Sequence, residues 1–256
     1  MHLLLTTQAL AHPQGQPLAT EAPPAYWQSL AAARDGPAFL PPTRGTVYGS
    51  LLNHRDALAA LGERVYAPPY KAPPKAPVLY IKPRNTVIGH RMPVGVPGDA
   101  AALEIGATLG IVIGRTASRV AESQALAHVA GYTVVNDISV PHESVYRPSM
   151  RFRCRDGFCP IGPAVVPSAL VPDPDALAIS VAIDGATVHR SSTAGLIRPV
   201  ARLIADVTEF MTLHPGDVLM VGVAAGAPWA RAGQRVAISI DGVGRLENLL
   251  IAEGPP

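Results

Sequence analysis

An apolar run from Ala130 to Val135 ends in the pair Asn136-Asp137, so a strand is expected to deliver an amide and a carboxylate to its own tip, where sites are commonly built. The chain then turns cationic. Arg147, Arg151, Arg153 and Arg155 fall within nine residues, and the last three alternate onto one side of any extended segment. Guanidinium forks at that spacing suit bidentate capture of small carboxylates. Arg151 and Arg155 have a second reading, as ion-pair partners of Asp156 and Glu143. A further cation pair, Lys82 and Arg84, ends the strand expected over Val78 to Ile81, beside the rigid Pro83. His54 and His142 are potential bases without a placed partner; they read more simply as the start of a helix and part of a loop after Pro141. Cys154 and Cys159 lack the His or Cys pairs of a zinc site and read as reduced packing thiols.

The elements that must hold these groups are short. Thr46 to Leu52 reads as a strand, and Asn53-His54-Arg55-Asp56 opens a helix to about Leu61. Pro68 to Pro77 contains five prolines and forms an extended connector. Leu103 to Gly114 is a strand buried on both faces towards its end. Residues 117–129 place Val120, Ala125, Leu126 and Val129 on one helical face. Asp184-Gly185 joins two strand patterns as a hairpin turn. Ala194 to Met211 is a helix with Ile197, Val200, Ala201, Ile204, Val207, Thr208 and Met211 inward. Strands over 218–222, 235–240 and 244–249 complete the pattern. Residues 1–44, rich in Pro, Ala and Gly, form an arm or small cap with a short helix over 26–33, whose Trp27, like Phe39, is expected to pack. Residues 45–256 form the main domain.

With 256 residues and 48% apolar content the chain can bury a sizeable core. Its 27 prolines and 23 glycines point to an α+β, mainly β architecture of short strands and tight corners. A net charge of +2 without a Lys/Arg block argues against nucleic acid. Leu3-Leu4-Leu5 is too short for a secretion signal and no long apolar run follows, so a cytoplasmic protein without membrane attachment is expected.

Leu213-His-Pro-Gly-Asp-Val-Leu, Gly242-Val-Gly-Arg-Leu-Glu-Asn and Ala130-Gly-Tyr-Thr-Val-Val-Asn-Asp resemble signatures of the fumarylacetoacetate hydrolase family, over roughly residues 45–252. More narrowly, Leu52-Asn-His-Arg, Pro69-Tyr-Lys-Ala-Pro-Pro-Lys, Ile81-Lys-Pro-Arg-Asn-Thr-Val-Ile-Gly and Cys154-Arg-Asp-Gly-Phe-Cys-Pro-Ile-Gly resemble one branch of it. That branch is the amino-terminal half of the bifunctional isomerase/decarboxylases of 4-hydroxyphenylacetate (homoprotocatechuate) degradation, where two related halves are fused. Here one half stands alone, as suits a separately encoded subunit.

The resemblance implies a twisted mixed β-roll with peripheral helices, magnesium or manganese in active members, and 2-oxo or 2-hydroxy dienoic substrates with two or three carboxylates. A metal chelated by the carboxylate and 2-oxo oxygen of such an acid stabilises the enolate formed as carbon dioxide leaves or a proton moves. It also implies Glu-x-Glu where this chain has Gly106-Ala107-Thr108, leaving Asp137 as the only retained ligand-type residue. Asp137 reads equally as a residual ligand or as an Asx cap with Asn136. The family's His and Glu acid/base pair falls on Ala57 and Ala60, its Gly-Thr-Pro loop on Gly222-Val223-Ala224, and its Lys before the Arg-Asp corner on Arg153. Glu104 shares the face of Gly106 about 6–7 Å away, and the register slip needed to make it a ligand is costly.

The expectation is therefore a pocket of Lys82, Arg84, Asn136, Tyr146, Arg147, Arg153 and Asp156 for a dicarboxylate or tricarboxylate, with Lys82 and Arg153 as the catalytic pair. This chain is expected to hold no metal itself, magnesium or manganese residing in a partner chain. Three functions stay open. The first is a subunit acting on 5-oxopent-3-ene-1,2,5-tricarboxylate (decarboxylation) and 2-hydroxyhepta-2,4-dienedioate (isomerisation), as a heteromer with a metal-bearing paralogue. The second is a metal-independent decarboxylase or tautomerase, and the third a non-catalytic structural or small-anion-binding half. A homo-oligomer in isolation is compatible with all three.

Overall fold

A computed structural model describes residues 38–68, 71–142 and 149–253. The expected helix over 26–33 with Trp27, and the site candidates Tyr146 and Arg147, lie outside the described residues, as does Glu143. In chain order the elements are β1 (Val47–Leu51), α1 (Arg55–Ala59), β2 (Val78–Lys82), β3 (Val87–Ile88), β4 (Val94–Val96), β5 (Leu103–Glu104), β6 (Ala107–Ile113) and β7 (Val129–Asn136). Then come α2 (Met150–Arg153), β8 (Cys159–Pro167), β9 (Ala178–Ile183), β10 (Ala186–Ser192), α3 (Val200–Thr208), β11 (Val218–Met220), β12 (Trp229–Ala230), β13 (Arg235–Ile240) and β14 (Gly244–Ala252). Among these residues no helix is long and apolar enough to cross a membrane.

Seven strands form a mixed sheet in the order β2-β1-β11-β6-β7-β8-β3, parallel between β1 and β11 and between β3 and β8. A second sheet runs β10-β9-β13-β14-β4, and β12 pairs with β5. The expected mainly β roll with peripheral helices is the fold observed. Strand β6 shows why the larger sheet lies inside: all seven of its residues are buried. Leu109, Ile111 and Ile113 enter the main core with Val181, Ile238 and Leu246 of the second sheet, while Val112 joins Val47, Val135, Ile161 and Val218 on the opposite face. Period-two alternation of branched side chains supplies apolar surface to both sides at once. The Asp184-Gly185 hairpin forms as expected, with φ of 50° and 87° at its two central residues.

Three local expectations change. Residues 122–128 are a 3-10 segment with Leu126 exposed, not part of an amphipathic α-helix; the apolar residues that mimicked a helical face belong partly to β7, which starts at Val129. The helix expected over 194–211 is confined to α3, because Pro199 sits extended at its N-cap, and Val200, Leu203, Ile204 and Val207 form its buried face. The arginine cluster is not extended: Met150–Arg153 is a helical turn. Helical spacing puts Arg151 and Arg155 together, and both bind Asp99 at 3.0 Å rather than Asp156, while Arg153 turns the other way.

Candidate functional site

Because β1 and β11 are parallel and β6 is antiparallel to both β11 and β7, the C-terminal ends of β1, β11 and β7 meet the N-terminal end of β6. A cavity of about 350 Å³ opens there, walled by Ser50, Leu51 and Leu52 after β1, by Ala57, Ala60 and Leu61 from α1 and its continuation, by Tyr80, Glu104, Gly106, Asp137 and Arg153, and by the loop Val223–Ala227. The loop is tied down from below. Asn53 donates to the carbonyls of Val221 (2.8 Å) and Arg198 (3.1 Å) and accepts from Arg198 N (3.0 Å). Thr108 donates to the Gly222 carbonyl at 2.8 Å, and Asp56 accepts from Ala225 N at 3.1 Å.

Asp137 stands at the floor, one residue beyond β7, and is 4% exposed. Its Oδ2 accepts from Arg153 Nη1 at 3.1 Å and from the Tyr80 hydroxyl. Its Oδ1 lies 2.8 Å from Lys82 Nζ. The Lys82 ammonium donates to the carbonyls of Ile138 (2.8 Å), Arg153 (2.8 Å) and Phe158 (2.9 Å). Those three bonds use its three protons, so it acts on Asp137 through charge. Burial by itself would push the Asp137 carboxyl up; the adjoining Lys82 and Arg153 charges outweigh it and hold the group below the usual carboxylate range. Tyr80 is pushed well above an ordinary phenol, first by burial and then by the Asp137 charge. Arg153 lies over the Tyr80 ring, 5.2 Å from its centroid. Tyr80 reaches Asp137 by crossing its cross-strand neighbour Gly49, where a Cβ would fall 2.1 Å from the ring.

The sequence candidates thus separate. Arg153 and Asp137 line the cavity. Lys82 is sealed beneath Asp137, with no proton left for a ligand, and contributes only through that carboxylate. Arg84 and Asp156 are exposed on the outer turn, where Asp156 accepts from Asn85 at 2.7 Å. Asn136 is buried away from the cavity lining, and its Oδ1 has no hydrogen-bond partner among the described residues. His54 precedes α1, its Nε2 facing the Ser192 carbonyl at 3.0 Å. His142 bonds Val140 and Ser149 and stacks on Phe152. Cys159 is buried, which pushes its thiol up to about 12, and Cys154 is half-buried. Sequence reading missed Tyr80 as a site residue, although it alternates with Lys82 on one face of β2 and the period-two rule could have found it.

Glu104 also enters the cavity, without any slip of register, because β5 and β6 are separate strands broken at Ile105-Gly106. Burial raises its carboxyl, an effect that Arg153 and His142 partly oppose.

Among the described residues, the groups around Asp137 are arranged for cations already in place rather than for a divalent ion. Both Asp137 oxygens face cations, Thr108 is bonded to Gly222, and no cluster of three or more His, Cys, Asp or Glu suited to a metal occurs among the described residues. A ligand-bearing side chain at position 106 would also need space that is filled, since a Cβ on Gly106 would lie 2.4 Å from the Asp137 carbonyl oxygen. What the cavity lining offers is the Arg153 guanidinium, one of whose nitrogens binds Asp137, together with the partly buried Glu104 carboxyl.

Residues 46–251 match the family model described as "Fumarylacetoacetate (FAA) hydrolase C-terminal". The 4-hydroxyphenylacetate degradation bifunctional isomerase/decarboxylase of Salmonella dublin is 43% identical over 210 residues, 82% of this chain and 48% of that protein. The protein of the same description from Escherichia coli is 42% identical over the same lengths. The chain spans about half the length of these curated relatives. Among solved structures, fumarylpyruvate hydrolase from Pseudomonas aeruginosa, in complex with Mn2+ and pyruvate, superposes with a TM-score of 0.72 at 26% identity, covering 86% of this chain and 94% of that one. The 2-hydroxyhepta-2,4-diene-1,7-dioate isomerase from Mycobacterium marinum gives 0.71 at 26%, covering 98% and 92%.

Proposed function

The chain belongs to the fumarylacetoacetate hydrolase family, and from that membership we propose that it is a subunit of a decarboxylase/isomerase of 5-oxopent-3-ene-1,2,5-tricarboxylate and 2-hydroxyhepta-2,4-dienedioate. In this reading its own metal centre is replaced by the Lys82–Asp137–Arg153 cluster, and a paralogous half or chain supplies the magnesium or manganese. The observation that carries the reading is that cluster. The carboxylate retained from the family's ligand set is neutralised by two fixed cations, and a third cation of higher charge would meet their repulsion. Identity above 40% to two bifunctional isomerase/decarboxylases supports the substrate class.

In the cavity, Arg153 is the group suited to a substrate carboxylate. Its Nη1 is held by Asp137, and its other N–H donors have no acceptor among the described residues. Its central carbon lies over the Tyr80 ring, which with the Asp137 bond limits where the fork can turn. Lys82 and Asp137 hold this cation in place rather than touch the ligand.

The test is turnover of both substrates by the purified chain alone, with magnesium or manganese, with chelator, and after mixing with a paralogue that carries acidic residues at the positions of Gly106 and Thr108. The expected result is no metal-stimulated turnover alone, with a stable heteromer and increased turnover on mixing. Metal-dependent turnover by the chain alone, or indifference to the paralogue, overturns the reading.

A further inference from the structure

We propose that Glu104 is a proton-transferring residue, exchanging a proton with the carbon next to the carbonyl of a small 2-oxo acid anchored on Arg153, with no metal taking part. The side chains around the cavity narrow the choice to this one. The α1 wall offers Ala57 and Ala60. The Ser50 hydroxyl donates to the Met220 carbonyl at 2.9 Å, the Tyr80 hydroxyl to Asp137, and Asp137 is bracketed by two cations. Glu104 is the lining residue whose proton-labile group no donor or acceptor engages among the described residues.

Its placement is firm. Glu104 N donates to the Ser139 carbonyl at 2.8 Å, and the residue pairs with Trp229 across β5 and β12, so its backbone is fixed on two sides. Glu104 and Arg153 influence each other electrostatically, yet they form no ion pair. Both side chains line the same cavity, so a 2-oxo acid whose carboxylate and carbonyl oxygen meet Arg153 would present its carbon 3 to Glu104. Partial burial moves the Glu104 carboxyl above the ordinary glutamate range, the direction that suits a group which must both accept and return a proton.

The step balances without a further reactant. The Glu104 carboxylate takes a proton from carbon 3; the C–H pair becomes the carbon 2–carbon 3 double bond, and the carbonyl π pair withdraws to oxygen. Arg153 stabilises the oxyanion. Return of the proton from Glu104 to oxygen gives the enol, and return to carbon restores the keto acid.

The ligand class rests on the reading above, and the experiment separates the two. The full chain, in excess chelator and deuterium oxide, is given pyruvate, and loss of the methyl proton signal is followed by NMR beside calorimetric binding of pyruvate. Expected are washout by the unaltered chain, washout at least ~100-fold slower in Glu104→Gln, partial activity in Glu104→Asp, and pyruvate affinity little changed in both variants. Absence of washout despite pyruvate binding, or equal washout in Glu104→Gln, overturns the role of Glu104 and leaves the ligand reading standing. Absence of pyruvate binding overturns both.

Discussion

Lys82 Nζ stands 2.8 Å from Asp137 Oδ1, and the two side chains are 0% and 2% exposed. A charge buried so completely is tolerated only while it is paired and hydrogen-bonded. Lys82 also satisfies three carbonyls from three segments, at Ile138, Arg153 and Phe158, so one ammonium joins β2 to the end of β7, to α2 and to the start of β8. Lys82→Met keeps the volume and removes the charge. It should cost about 3–5 kcal/mol in urea or guanidinium unfolding, because Asp137 loses its nearest cation and the Ile138 and Arg153 carbonyls lose the ammonium that donates to them. A loss below about 1 kcal/mol would contradict the arrangement.

The sequence made parts of this site legible because strand alternation and turn chemistry are local. Asn136-Asp137 at the tip of β7, the Asp184-Gly185 hairpin and the doubly buried β6 all follow from patterns a few residues long. What was not legible depends on distant partners. Arg153 was singled out from Arg151 and Arg155, but that one of its nitrogens is held by Asp137 depends on α2 and β7 meeting, and Lys82 looked like a free cation until three carbonyls from later segments closed around it. Glu104 needed a break in the strand that no residue between Leu103 and Gly114 announces, other than Gly106 itself.

His90 yields a pH prediction. It is fully buried, its Nδ1 accepts from Glu247 N at 3.1 Å, and Arg91, Glu247 and Arg245 are the charged groups that act on it. Burial, reinforced by the Arg91 charge, lowers it from 6.5 to about 4. Between those values the unfolded chain binds a proton that the folded chain does not, so stability falls as pH drops from about 6.5 to about 4 and this contribution levels off below. The shift corresponds to about 3 kcal/mol. Unfolding free energies measured across that range should show the slope, and His90→Gln should flatten it. An imidazole NMR signal of His90 that titrates near 6.5 would contradict the assignment.

Placing at 106 and 108 the acidic pair that the family resemblance implies should fail to create a metal site. A Cβ at position 106 lies 2.4 Å from the Asp137 carbonyl oxygen, which is backbone and cannot swing aside as a side chain could. Position 108 is fully buried, and its hydroxyl holds Gly222, so Thr108→Glu both breaks that bond and overfills the strand. The Lys82 and Arg153 charges remain at Asp137 in such a variant and oppose a divalent cation there. Gly106→Glu/Thr108→Glu should therefore lose about 3 kcal/mol or more of stability through overpacking, and a manganese titration followed by electron paramagnetic resonance should show no tight binding. Tight manganese binding by the folded variant would mean that β6 can move away from Asp137. The substitutions at 106 and 108 alone, rather than the closed geometry and the two cations around Asp137, would then set this chain apart from metal-binding relatives such as the Pseudomonas aeruginosa enzyme.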